Sequence, residues 1–336
     1  MRKFKLVFVP MPSISHLDPF CKFAEKLVER DKRLCVTILI IRPTPLWESS
    51  IDAYTKRISS APEGNRIRYI TLAQIEPPYS EELENYRPIV KDAIISNKSW
   101  PGTDSNPKIV GLVIDMFCTS MIDVANELDI PSYLFFTSGA AFLDEQFNPS
   151  DGDLNIAAYT HPVPSKVLPT FAFVKEGYDS FRNHGVRYKE TKGILIDTVE
   201  EFESHAVNSL ASDPELPPVY TVGFLLDLEA QNAKGNSKSK DEEIKKWLDQ
   251  QPPSSVLFLC FGSAVELTLN DRMHDSDHRG IVKAAEIEKV IRRVMDSENS
   301  LRKRVKDMGE ICRKALTEGG SSFISLGRFV ETILDT

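Results

Sequence analysis

His16 and Asp115 are the two residues of this chain whose types and placement carry chemistry. An imidazole takes or gives a proton near neutral pH, and a carboxylate beside it orients the ring and stabilises its charged form. His16 follows the short apolar run Phe4–Val9, and Asp115 directly follows Leu112-Val113-Ile114. Both runs read as buried strands, so each residue stands beyond the carboxyl end of a strand, where open α/β sheets gather their loops and bind ligands. Thr137, just past Ser132–Phe136, stands at a third such end. From periodicity alone, the plain readings come first: such a histidine is a surface or capping residue of a loop, and an aspartate ending a strand commonly caps the next helix.

The elements that must position these residues alternate. Runs at Phe4–Val9, Leu34–Ile41, Arg66–Leu72, Ile109–Ile114, Ser132–Phe136 and Gly193–Asp197 read as strands. The stretches between them are long enough for crossover helices, which predicts a parallel sheet covered on both faces. After the first strand, Phe20, Phe23, Ala24, Leu27 and Val28 have helical spacing, with Asp18 as N-cap and Pro19 in the first turn. Residues 1–225 are thus expected to form a Rossmann-type α/β domain, and 226–253 a linker with a short helix, the polar stretch Glu229 to Glu243 being the exposed connector. In the remaining 254–336, Ile287, Val290, Ile291 and Val294, then Leu301, Val305, Met308, Ile311 and Cys312, predict two amphipathic helices. Ser321 or Ser322 reads as the N-cap of a last helix carrying Phe323, Leu326, Phe329, Val330 and Ile333.

Composition narrows the function. The chain has 336 residues, 41% of them apolar, enough for two cores. Forty-nine acidic against 41 basic side chains give a net charge of −8, and no basic stripe interleaves with aromatics, which argues against a nucleic-acid partner. Cys21, Cys35, Cys118, Cys260 and Cys312 show no metal or disulfide spacing, and most lie in apolar runs, as expected in a reducing cytosol. Pro10 and Pro12 cut the first apolar run well short of a signal-peptide core, and no stretch approaches the roughly 18 apolar residues of a membrane span. No GxGxxG follows a strand, which disfavours a dinucleotide-dependent oxidoreductase.

Longer strings carry a family resemblance. Val7-Phe8-Val9-Pro10-Met11-Pro12-Ser13-Ile14-Ser15-His16-Leu17-Asp18-Pro19, then Gly111-Leu112-Val113-Ile114-Asp115-Met116-Phe117-Cys118, and Ile130-Pro131-Ser132-Tyr133-Leu134-Phe135-Phe136-Thr137-Ser138 resemble plant family 1 UDP-glycosyltransferases. Pro217-Pro218-Val219-Tyr220-Thr221-Val222-Gly223, Trp247-Leu248-Asp249 and Ser255-Val256-Leu257-Phe258-Leu259-Cys260-Phe261-Gly262-Ser263 extend the likeness. The resemblance implies a GT-B fold of two Rossmann-like halves, His16 as general base and Asp115 as the carboxylate that steadies it. Thr137 then matches a contact to the donor sugar and Ser263 one to the donor phosphates, although both also read as turn hydroxyls or caps. It further implies a UDP-sugar, typically UDP-glucose, as co-substrate without a resident cofactor or metal. Small hydrophobic acceptors such as flavonoids, phenolics or terpenoids, and a cytoplasmic monomer, complete the expectation.

The departures matter as much. Ser13 and Ser15 stand where the family commonly has glycine, and Asp144-Glu145-Gln146-Phe147-Asn148-Pro149-Ser150 breaks a helical pattern that normally lines the acceptor pocket. After Ser263 the donor-binding box is missing: there is no Trp-x-Pro-Gln, no His-Cys-Gly-Trp-Asn-Ser, and no acidic residue followed by Gln in that context. The likeness resumes at Ala264-Val265-Glu266-Leu267 and runs to Gly319-Gly320-Ser321-Ser322. An internal deletion on the order of a hundred residues, the size of a small domain, is therefore expected, leaving a truncated C-terminal α/β remnant. Gly262-Ser263 could turn a hairpin between Val256–Phe261 and Ala264–Leu269. Two functions follow: a glycosyltransferase of impaired activity, or a non-catalytic small-molecule-binding protein.

Overall fold

The computed structural model describes residues 2–42, 66–73, 83–100, 106–137, 153–164, 175–225, 238–252 and 300–335, with a few single positions between them. Strands β1 (Phe4–Val9), β2 (Leu34–Ile40), β3 (Ile67–Thr71), β4 (Lys108–Asp115) and β5 (Ser132–Phe136) alternate with helices α1 (Ile14–Arg30), α2 (Arg87–Ser96) and α3 (Met121–Glu127). A two-strand ribbon, β6 (Asp153–Leu154) with β7 (Val163–Pro164), and α4 (Lys175–Gly185) precede β8 (Ile194–Ile196), α5 (Ser204–Ser212) and β9 (Val219–Thr221). The seven-stranded sheet has the order β3-β2-β1-β4-β5-β8-β9, and every neighbouring pair is parallel.

Period-two alternation explains the two cores. Leu6, Phe8, Val113, Tyr133 and Phe135 point to the face covered by α1, while Val7, Val9, Leu112, Ile114, Leu134 and Phe136 point to the other. Gly111 makes room for this packing: a Cβ there would lie 2.7 Å from the ring of Tyr133. A seventh strand, β9, was not anticipated, because three residues after Pro217-Pro218 give no period to read.

Helix α1 corrects the expectation for its start. Ser13 occupies the N-cap position, the Leu17 amide donates to the Ser13 carbonyl at 2.9 Å, and Pro19 lies inside the helix. Proline removes the bond to the carbonyl four residues back, here that of exposed Ser15 in the first turn, where water can serve it. Asp18 instead accepts a hydrogen bond from the Tyr54 hydroxyl at 2.6 Å. The consequence is that His16 sits in the first turn of a helix and not in a loop.

The described chain divides into two compact units, Met1–Leu226 with Cys312–Thr336, and Asp227–Ile311. The last helix, α8 (Ser321–Leu334), belongs to the first unit together with the end of α7 (Ser300–Leu316). Its N-cap is Gly320, a correction to the expected serine: a Cβ at Gly320 would fall 2.3 Å from the Lys314 carbonyl oxygen, so only glycine fits the tight return. Phe329 of α8 is fully buried against the rings of Phe23, Tyr133 and Tyr220, at 6.2, 5.2 and 5.5 Å between centroids. In the second unit, α6 (Lys238–Asp249) begins within the stretch read as connector, where Lys and Glu are good helix formers. Its Ile244 and Trp247, and Val305 of α7, are more than half exposed, so the apolar spacing there is not matched by burial. Ser263, the Gly262-Ser263 turn and the Asp144–Ser150 break lie outside the described residues.

Candidate active site

The strand order reverses between β1 and β4, since β1 is followed in space by β2 and β3 on one side and by β4 and β5 on the other. Such a switch point opens a crevice at the carboxyl ends of the strands. Asp115 ends β4, His16 lies in the first turn of the helix that follows β1, and Thr137 directly follows β5. Alternation puts Asp115 on the same sheet face as Val113, the face that α1 covers, so the two side chains are aimed at each other.

They meet. His16 Nδ1 lies 2.8 Å from Asp115 Oδ2, and the Thr137 hydroxyl oxygen lies 3.0 Å from the same nitrogen. A carboxylate only accepts, which assigns the proton to Nδ1 and leaves the lone pair on Nε2. Asp115 is wholly buried, whereas the His16 side chain retains 17% exposure, so the ring is accessible while its partner is not. The second carboxylate oxygen accepts the Phe117 amide at 3.0 Å, which fixes the carboxylate plane. Chemically, an imidazole held in this way by a carboxylate and a hydroxyl can take a proton from a group placed at Nε2.

Comparison with known proteins gives this site its context. UDP-glucose flavonoid 3-O-glucosyltransferase 6 of Fragaria ananassa is 31% identical over an alignment of 477 positions that spans 98% of this chain and 98% of that protein. The chain belongs to the plant family 1 UDP-glycosyltransferases. A second Fragaria ananassa protein of the flavonoid 3-O-glucosyltransferase kind is 41% identical over 288 residues, spanning 77% of this chain but only 59% of the relative. Among solved structures, Medicago truncatula UGT71G1 complexed with UDP-glucose superposes with a TM-score of 0.81 at 28% identity, covering 98% of each chain. The fold is GT-B, with the parallel sheet described above as its Rossmann-like domain. No family model matches the chain.

Within this UDP-glycosyltransferase, the structure also gathers residues to which sequence reasoning gave no role. The Phe117 ring stands with its centroid 5.8 Å from that of His16 and 5.8 Å from that of His184. Phe181, one turn before His184 on α4, packs edge-on to Phe117 at 6.2 Å. The buried Thr119 hydroxyl lies 2.7 Å from His184 Nδ1. Phe117 lies inside a family-like string, but nothing in its spacing distinguishes it from a core aromatic. His184 is nearly seventy positions from Asp115 on a polar helix, and no sequence period links it to the site.

Proposed function

We propose that the chain is a UDP-glucose-dependent, inverting glycosyltransferase of small hydrophobic plant metabolites of the flavonoid class, working in the cytosol as a monomer with weakened donor binding. The observation that carries the reading is the His16–Asp115 hydrogen bond of 2.8 Å at the switch point of the sheet. His16 Nε2 removes the proton of an acceptor hydroxyl as its oxygen bonds to the anomeric carbon, the bond to the UDP oxygen breaks on the opposite face, and UDP leaves with the electron pair. Asp115 stabilises the imidazolium formed in that step. The names of the relatives, among them an anthocyanidin 3-O-glucosyltransferase of Manihot esculenta at 36% identity, support this acceptor class.

Weak donor binding rests on the missing box. Of the 477 aligned positions at most 336 can carry a residue of this chain, so at least 141 positions of the relative have no counterpart here, which together with the missing box supports a deletion in the donor half. The lost residues would have brought helix N–H groups to the diphosphate, a strong anion site. Residues 1–225 are then the acceptor domain, 226–253 the linker and 254–336 a donor-domain remnant whose last helix is packed into the core of the acceptor domain. Thr137 and Ser263 are the donor contacts that the family pattern still offers.

Calorimetric titration of the full chain with UDP and UDP-glucose, alongside a glucosylation assay on a flavonol, tests the proposal. Binding in the micromolar to millimolar range, about −4 to −8 kcal/mol, with slow transfer that His16→Ala abolishes, is the expected result. Flavonol binding with no heat from either nucleotide and no transfer would replace it with the alternative, a non-catalytic binding protein.

A further inference from the structure

His184 presents the opposite tautomer to His16 and packs against the same aromatic ring, that of Phe117. The Thr119 hydroxyl is buried, and its hydrogen bond to His184 Nδ1 is its one described contact. If the imidazole donated, the hydroxyl proton would be left unpaired in the interior, which costs about 1–3 kcal/mol. Thr119 therefore donates, Nδ1 accepts, and the hydrogen of the neutral ring lies on Nε2. Burial, outweighing the pull of Asp115, also holds the His184 pKa below its ordinary value, so the ring stays neutral at neutral pH. Among the described residues, Nε2 of His184 has no hydrogen-bond partner, and the side chain is only partly covered.

On the reading of the acceptor site given above, we propose that His184 is a specificity-determining residue whose Nε2–H donates a hydrogen bond to an oxygen of the acceptor remote from the hydroxyl that reacts at His16. Both imidazoles lie with their centroids 5.8 Å from that of Phe117, so their rings are at most twice that distance apart, within reach of the two ends of a planar two- or three-ring phenol lying along the Phe117 and Phe181 rings. The site thus selects polyphenols carrying oxygen at both ends over aromatic alcohols with a single polar end. A polar group placed to meet a ligand oxygen discriminates against the analogue lacking it, because the donor, cut off from water by the bound ligand, is then left unpaired.

Titration of the full chain, followed by ligand absorbance, with quercetin and with 3-hydroxyflavone, which lacks the other ring hydroxyls, provides the test. The unaltered chain is expected to bind quercetin about five- to tenfold more tightly. His184→Phe, which keeps an aromatic of similar breadth, should bring the two ligands within about twofold of each other without weakening 3-hydroxyflavone, and His184→Gln, which retains an N–H donor, should restore part of the preference. If His184→Phe does not fold, Thr119→Val, which frees the tautomer, should reduce the preference by about threefold. A preference absent from the unaltered chain, or unchanged in these variants, overturns the role of His184 alone. Failure of the unaltered chain to bind either flavonol overturns the acceptor reading together with it.

Discussion

His16 and Asp115 differ in exposure. The buried carboxylate holds the ring by Nδ1 at 2.8 Å, and on the proposed function Nε2, the nitrogen with the lone pair, does the work. Asp115→Asn keeps the shape but presents a ring that no longer has a carboxylate to stabilise its charged form. It should lower kcat by about a hundredfold or more with KM for the acceptor little changed, measured by steady-state glucosylation. A second carboxylate offers a stability test. Burial raises the Asp197 pKa to about 6, against opposing help from the Leu225 amide at 3.0 Å and from the Lys26 charge. Because the folded pKa lies above the unfolded one of about 4, stability is fully present below that pH and declines as pH rises through about 6. Asp197→Asn removes the decline, so denaturant melts should show no gain at pH 4 and a gain of about 1–3 kcal/mol at pH 7.5. Equal effects at both pH values would show that the carboxyl does not titrate in that window.

At the scale of elements, the last helix is as much a part of the Rossmann-like domain as the helices near it in sequence. α8 buries Leu326, Phe329, Val330 and Ile333 in the same core as Phe8, Phe20 and Phe23 of β1 and α1. Phe329→Ala leaves a cavity among three aromatic rings and should cost about 3–5 kcal/mol in urea unfolding, with the unfolding slope unchanged. Ile324→Ala, on the exposed side of the same helix, should change stability by less than about 0.5 kcal/mol. Helix α1 shows how far sequence signals reach: its apolar face was legible from Phe20 to Val28, yet its first turn was not, because Pro19 outweighed the continuation of the helix back to Ile14. A proline that would have stopped the helix in isolation is tolerated where the carbonyl it leaves without a partner belongs to an exposed residue, Ser15, and the face after it is buried.

Across the whole molecule, the two units differ in what they bury. In the first, both sheet faces are covered by apolar side chains. In the second, Ile244, Trp247, Leu248, Val305 and Ile311 are exposed, an expected result if a donor half has lost the strands its helices once covered. The full chain should therefore enhance the fluorescence of an apolar-surface dye in native buffer, whereas residues 1–226 followed by 312–336 through a short linker should not. Equal dye binding by both would place the apolar surface in the first unit. No described helix is long and apolar enough to cross a membrane.

The sequence by itself determined the alternation of β1, β4 and β5, the apolar stripe of α1, the strings that mark the family, and the positions of His16, Asp115 and Thr137 at or just past the carboxyl ends of strands. These are local patterns, and burial on one or two faces writes them into consecutive residues. Only the tertiary structure decided that His16 and Asp115, 99 positions apart, share a hydrogen bond, and that the Thr137 hydroxyl joins the same nitrogen. It alone brought His184 beside Phe117 and set its proton through Thr119. Those contacts depend on the order in which strands pair and on how α4 folds back over the loop after β4, and neither leaves a period in the chain.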